Sequence, residues 1–235
     1  MLKFFGRAVL APVARVAFRP RILGRSNVPK SGAVIIASNH LSFADSIVIT
    51  LVAPRSVSFL AKASYFTGKG VKGALSRAFF TASGAIAVER GAGAAAQDAL
   101  NSGLRVLESG EAFSIYPEGT RSLDGRLYKG RTGVAWIALT SGAPVVPVAL
   151  TGTQNIQPAG SNRPHLAKVT VEFGAPLDLG RHGPASSGKA RRNATDEIMS
   201  AIHEMSGQEL ANVYNEPPPA SVRERVRRWF RRERS

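Results

Sequence analysis

His40 and Asp45, in the segment "SNHLSFAD" (38–45), are the first residues whose types and spacing could do chemistry. A neutral imidazole takes up a proton near neutral pH. A carboxylate that accepts the other ring N–H decides which nitrogen stays free to do so. Together they could serve as a general base that activates a hydroxyl. Asp45 is the only acidic residue among the first 88, against twelve Lys and Arg, and His40 is the nearest candidate partner for it. A second reading of the same residues is a strand-to-helix turn, in which Asn, Ser and Asp cap the helix that follows. From this segment alone both readings stand.

Two further segments carry chemistry. "YPEGTRS" (116–122) and "GAIAVER" (84–90) each follow or contain an apolar run and end on polar groups, among them Glu118, Arg121 and Arg90. Arginine suits a phosphate because its planar guanidinium can donate two parallel hydrogen bonds. Taken singly, each arginine reads equally well as a solvated surface charge. Other chemistries are excluded or unsupported. The chain has no cysteine, which removes thiol nucleophiles, disulfides and zinc–thiolate sites. No G-x-S-x-G elbow occurs. "GKGVKG" (68–73) satisfies G-x-G-x-x-G but does not sit in the tight turn directly after a strand, and "GPASSGKA" (183–190) ends on Ala190 where a phosphate loop needs Ser or Thr. His165, His182 and His203 lack ligand spacing, so no metal site is expected.

These groups need elements to hold them. "GAVIIAS" (32–38) is a fully apolar, β-branched run and predicts a buried strand. Further strands are expected at 57–62, 84–88, 112–116, 144–150 and 168–174. Helices are expected at 44–52, 71–80, 94–109 and 133–141, with a last one carrying Ile198, Ile202 and Met205 inward. Strands alternating with helices predict a single α/β domain with a largely parallel central sheet flanked by helices. Open sheets of this kind bind ligands beyond the carboxyl ends of their strands. His40, Arg90 and the Glu118–Arg121 segment each follow a strand, so all three fall on that rim. Convergence there favours a functional reading over three unrelated surface charges.

Thirty-one Lys and Arg against sixteen Asp and Glu leave a net charge of +15. Such a balance fits a polyanionic partner, either nucleic acid or an anionic membrane. Leu2, Phe5, Val9, Val13 and Val16 recur at helical spacing with Lys3, Arg7 and Arg15 off that stripe, which predicts a basic amphipathic helix over 1–22. "NEPPPA" (215–220) is a stiff break before "SVRERVRRWFRRERS", whose seven arginines surround an apolar face of Val222, Val226, Trp229 and Phe230. The expected organisation is therefore a helical segment at 1–22, a domain at 23–214, and a break with a basic tail at 215–235. No run reaches the ~20 apolar residues of a spanning helix.

The motifs together resemble those of the glycerolipid acyltransferases. "NHLSFAD" matches their N-H-x-x-x-x-D box and "YPEGTRS" their E-G-T-R-S box, with Tyr116 where Phe is commoner. "GAIAVER" resembles their second box, with Ala87 in place of a bulkier residue, and "APVVPVAL" their Val-Pro strand. The order is the family's, over residues 32–150. The resemblance implies direct transfer of a fatty acyl group from acyl-CoA or acyl carrier protein to 1-acyl-sn-glycerol-3-phosphate. It implies catalysis by His40 with Asp45, and acceptor binding by Arg90, Glu118, Gly119, Thr120 and Arg121. No metal or bound cofactor is implied. Asn39 and Ser42 are expected to orient the turn, Pro147 to wall the pocket, and Lys62 to meet phosphate or CoA. The expected setting is the cytoplasmic face of an anionic membrane, peripherally attached. The alternatives are another acceptor, such as glycerol-3-phosphate, and a nucleic-acid-binding protein, which the four ordered motifs argue against.

Overall fold

The strand β2 (Val34–Ser38) is buried along its whole length and shows how the sheet is built. Side chains alternate across a strand. Val34 and Ile36 pack on one side with Ile49 and Val52, whereas Ile35 and Ala37 pack on the other with Phe113, Ile137 and Ile198. A strand covered on both faces reads as an unbroken apolar run. The computed structural model describes residues 20–89, 93–156 and 165–216. The expected terminal helices, apart from residues 20–22 and 215–216, and the candidate Arg90 lie outside them.

Among the described residues seven strands form one sheet: β1 (Arg21–Leu23), β2, β3 (Val57–Lys62), β4 (Ala85–Val88), β5 (Ala112–Ile115), β6 (Val145–Thr151) and β7 (Thr170–Phe173). Their spatial order is β1-β7-β6-β2-β5-β3-β4. The run from β6 to β4 is parallel; β7 pairs antiparallel with β6, and β1 pairs parallel with β7. β1 was not expected from the sequence, because three residues are too short to show a periodicity. It also moves the start of the domain ahead of the expected boundary at residue 23.

Parallel neighbours require crossovers, and helices supply them: α1 (Asp45–Val52), α2 (Gly70–Ala82), α3 (Ala94–Glu108) and α4 (Gly133–Ser141), with α5 (Gly188–Ser206) after the sheet. The chain leaves β2 through α1 toward β3, and leaves β5 through α4 in the opposite direction toward β6. Right-handed crossovers running in opposite directions place their helices on opposite faces. Accordingly Ile49 of α1 packs with Val34 and Ile36, while Ile137 of α4 packs with Ile35. β2 and β5 are neighbours, so the two chains part between them and open a crevice at their carboxyl ends.

After α5 the chain turns at Gly207, whose φ of 61° is the left-handed closure typical of a helix end. Residues 207–216 then run beside residues 125–131 as a strap. Asn215 is buried within the body, so the domain continues past the expected boundary at 214. Among the described residues no helix is long and apolar enough to cross a membrane.

Candidate active site

The loop after β2 is anchored by its first residue. Asn39 is fully buried; its amide donates to the Leu150 carbonyl at 2.9 Å and its Oδ1 accepts from the Leu150 N–H at 2.8 Å. The same amide donates to Oε1 of Gln208 in the strap at 2.7 Å. Asn39 therefore ties β2 to β6 and to the strap, and does not cap α1. Ser42 accepts a long bond from the Ala44 N–H, 3.3 Å, and Ala44 at the helix N-cap carries no side-chain cap.

His40 Nδ1 and Asp45 Oδ2 are 2.8 Å apart. The same oxygen accepts the N–H of Leu41 at 2.7 Å and of Ser42 at 2.8 Å. The two readings of this segment thus merge: one carboxylate folds the turn and holds the imidazole. Asp45 is fully buried and the His40 side chain is 14% exposed. With Nδ1–H given to Asp45, Nε2 keeps its lone pair and has no partner among the described residues. That geometry can accept a proton from a hydroxyl placed against Nε2.

Three more contacts hold His40. Its ring lies flat on Tyr116, centroids 3.9 Å apart and planes 12° apart. The Tyr116 hydroxyl and Ser46 Oγ are 2.7 Å apart, which fixes the tyrosine to α1. Burial pushes the Tyr116 phenol above its ordinary range, so it stays neutral. The His40 N–H donates to Glu118 Oε1 at 2.9 Å, and the His40 carbonyl accepts the Ser122 N–H at 2.8 Å. Backbone, ring face and ring nitrogen are all fixed before any substrate arrives, as a base requires.

The segment after β5 opens with a β-turn, in which Gly119 N–H donates to the Tyr116 carbonyl at 3.0 Å. Pro117 suits the second position of such a turn. Gly119 has φ of 79°, and a Cβ there would press on the Arg131 side chain at 3.0 Å. Glu118 corrects the expectation that it contacts substrate. It is fully buried, and its second oxygen accepts the Tyr128 N–H at 3.0 Å. Its carboxyl is a brace between the His40 loop and the chain at 128. Arg121 is exposed, and its guanidinium has no partner among the described residues. The Thr120 and Arg121 carbonyls accept from the amide of Asn215. Lys62 is exposed at the end of β3. Pro147 is buried inside β6, where a Cβ on Gly174 would come within 2.9 Å of it, so it packs the sheet and does not wall the crevice.

Burial pushes the Glu118 carboxyl up to about 7 despite its two N–H donors. Between pH 4.5 and 7 the unfolded chain therefore releases a proton that the folded protein keeps, and stability falls as pH rises through that window. The fall amounts to about 3 kcal/mol. Glu118→Gln should be less stable throughout but should lack this fall, as urea unfolding across pH would read. Parallel stability–pH curves for the two proteins would remove the assignment.

A histidine oriented by a buried carboxylate thus sits beside an arginine-bearing loop at the rim of a largely parallel sheet, an arrangement able to accept a proton from a hydroxyl placed there. The sequence model of the Acyltransferase family matches residues 19–151, more than half of the chain, and the chain belongs to that family. Among its relatives is the chloroplastic 1-acyl-sn-glycerol-3-phosphate acyltransferase BAT2 of Brassica napus, 34% identical over 145 residues, 61% of this chain and 40% of that protein. The 1-acyl-sn-glycerol-3-phosphate acyltransferase of Limnanthes douglasii is 31% identical over 159 residues, 67% of this chain and 54% of that one. The chain thus spans roughly two-fifths to just over half of these relatives' lengths. The crystal structure of the 1-acyl-sn-glycerophosphate (LPA) acyltransferase PlsC from Thermotoga maritima superposes with a TM-score of 0.63 over 87% of this chain and 78% of that one. At 24% identity that likeness establishes the fold.

Tyr116, Ser46, Tyr128, Gln208 and Asn215 were not among the expected site residues. Tyr116 had a signal, since it directly precedes Pro117–Glu118 and departs from the commoner Phe. Nothing in the sequence marks the other four.

Proposed function

We propose that the protein transfers a fatty acyl group from an acyl thioester to the free hydroxyl of 1-acyl-sn-glycerol-3-phosphate, giving phosphatidic acid. The observation that carries this reading is the 2.8 Å contact of Asp45 with His40 Nδ1, which leaves Nε2 free at the rim that bears Arg121. His40 Nε2 takes the hydroxyl proton as the oxygen attacks the thioester carbonyl. The tetrahedral intermediate then collapses, the C–S bond breaks, and the proton passes from the imidazolium to the departing sulfur. One ester and one thiol result, with no acyl-enzyme and no bound cofactor. Asp45 stabilises the imidazolium while it exists. Arg121, joined by Arg90, holds the acceptor phosphate, with the backbone of Gly119 and Thr120 shaping the loop. The relatives named above support this acceptor.

The test is thiol release from acyl-CoA and from acyl carrier protein over a panel of acceptors. Lysophosphatidic acid should be turned over fastest; faster release with glycerol-3-phosphate or a phosphate-free lysolipid would replace it. Peripheral attachment to an anionic membrane is part of the same proposal, since each Lys or Arg near such a surface contributes ~1 kcal/mol. Residues 217–235 supply seven arginines. Deleting them should weaken co-sedimentation with phosphatidylglycerol vesicles, and equal binding would discard the tail as an anchor.

A further inference from the structure

The family match ends at residue 151, yet a segment far beyond it reaches the candidate acceptor loop. We infer that the strap at 207–216 completes the acceptor site, with Asn215 as the residue that positions Arg121. This rests on the reading of Arg121 as a phosphate ligand.

The strap is laid down by main-chain bonds. The Leu127 N–H donates to the Glu209 carbonyl at 2.8 Å, the Ala211 N–H to the Leu127 carbonyl at 2.9 Å, and the Lys129 N–H to the Val213 carbonyl at 3.0 Å. At its start Gln208 donates to the Gly125 carbonyl at 2.7 Å while accepting from Asn39. Asn212 has φ of 57° and is the only non-glycine residue with positive φ among those described. Asparagine tolerates that conformation better than most side chains, and the bend it makes precedes the turn of the chain into the body at Asn215.

Asn215 is the only buried residue of the strap, 8% exposed. A polar side chain is buried without loss only where partners await it, and its partners are the acceptor loop. Its Nδ2 donates to the Arg121 carbonyl at 3.0 Å and to the Thr120 carbonyl at 3.3 Å. Its own carbonyl accepts from Arg131 Nη2 at 3.0 Å. The aliphatic part of Arg131 in turn lies against Gly119. The first half of the loop is tied by the Arg131 N–H to the Pro117 carbonyl, the Glu118 carboxyl to the His40 and Tyr128 N–H groups, and the Gly119 N–H to Tyr116, and its end by the Ser122 N–H to His40. Among the described residues Asn215 alone hydrogen-bonds to Thr120 and Arg121. Asn215 thus fixes the middle of the loop and sets where the Arg121 side chain starts. A phosphate then has only that side chain's rotamers left to order, which lowers the cost of binding.

The test uses the full chain and initial rates with lysophosphatidic acid and acyl-CoA. Asn215→Ala should raise the acceptor KM roughly fivefold to thirtyfold, with a smaller fall in kcat and little change in the donor KM. Asn215→Asp keeps the shape but cannot donate, and should raise the acceptor KM similarly. If Asn215 acts through Arg121, the double variant with Arg121→Ala should have no higher an acceptor KM than Arg121→Ala alone. The inference is overturned if Arg121→Ala raises the acceptor KM and Asn215→Ala does not. It is also overturned if the two effects multiply, or if Asn215→Ala lowers melting temperature and kcat without shifting acceptor against donor KM. If Arg121→Ala itself leaves the acceptor KM unchanged, the phosphate assignment falls and takes this inference with it.

Discussion

His40→Ala lowers the rate of acyl transfer by roughly 10²- to 10⁴-fold, the usual contribution of a positioned general base, and leaves the fold in place. An alcohol at neutral pH carries its proton, and without a base the attacking oxygen must lose it to water inside the site. The fold survives because little else depends on the imidazole. Asp45 Oδ2 keeps the N–H groups of Leu41 and Ser42, and the His40 main chain keeps Glu118 and Ser122. The losses are the stacked face of Tyr116 and one hydrogen bond, about 1–3 kcal/mol together. A fall of several degrees in melting temperature follows. Thiol-release rates and a thermal melt measure both quantities, and undiminished turnover in a folded variant would remove the base assignment.

Asp45→Asn separates charge from orientation. An amide can in principle turn its NH₂ toward the imidazole and force the wrong ring nitrogen to carry the proton. Here that flip is blocked. Two backbone N–H groups converge on Oδ2 besides His40 Nδ1, so an NH₂ in that place would face both donors. The amide oxygen therefore occupies the Oδ2 position, His40 keeps its tautomer, and only the negative charge is lost. A buried charge near the imidazolium is worth up to about 4 kcal/mol at an effective dielectric of 20, so kcat falls by roughly 10²- to 10³-fold. The NH₂ lands where Oδ1 now stands, buried and without a partner, at a stability cost of about 1–3 kcal/mol. Asp45→Ala strands all three donors and is destabilised further. Near-normal kcat in the Asn variant beside a large loss in the Ala variant would show that orientation, and not charge, dominates.

Much of the fold was legible because its strands and helices announce themselves locally. Val34–Ala37 is apolar throughout because both faces are covered, and α4 closes at Gly142, whose φ of 66° the glycine was there to supply. β1 is not legible in the sequence because its three residues pair with β7 residues 149 positions further along the chain, and the chain around them shows no pattern of its own. The site divides in the same way. His40 and Asp45 lie five residues apart, so their meeting needs only one turn, and the short range made the pair readable. Glu118 was readable as part of the site but not in its orientation. Whether a carboxylate faces substrate or backbone depends on Tyr128 and on a loop 78 residues earlier.

By itself the sequence determined which residues are able to do chemistry, their order along the chain, and the alternating elements that carry His40 and the 116–122 loop at the ends of neighbouring strands. These are local properties: side-chain type, periodicity and turn chemistry act over a few residues. Only the tertiary structure decided that one oxygen of Asp45 both folds the turn and holds the imidazole, that Tyr116 lies under His40, and that Asn215 reaches back to Arg121. These depend on hydrogen bonds and ring contacts between segments that meet because β2 and β5 are neighbours and the strap crosses beside them. No local pattern records such meetings, since each is set by the packing of the whole sheet.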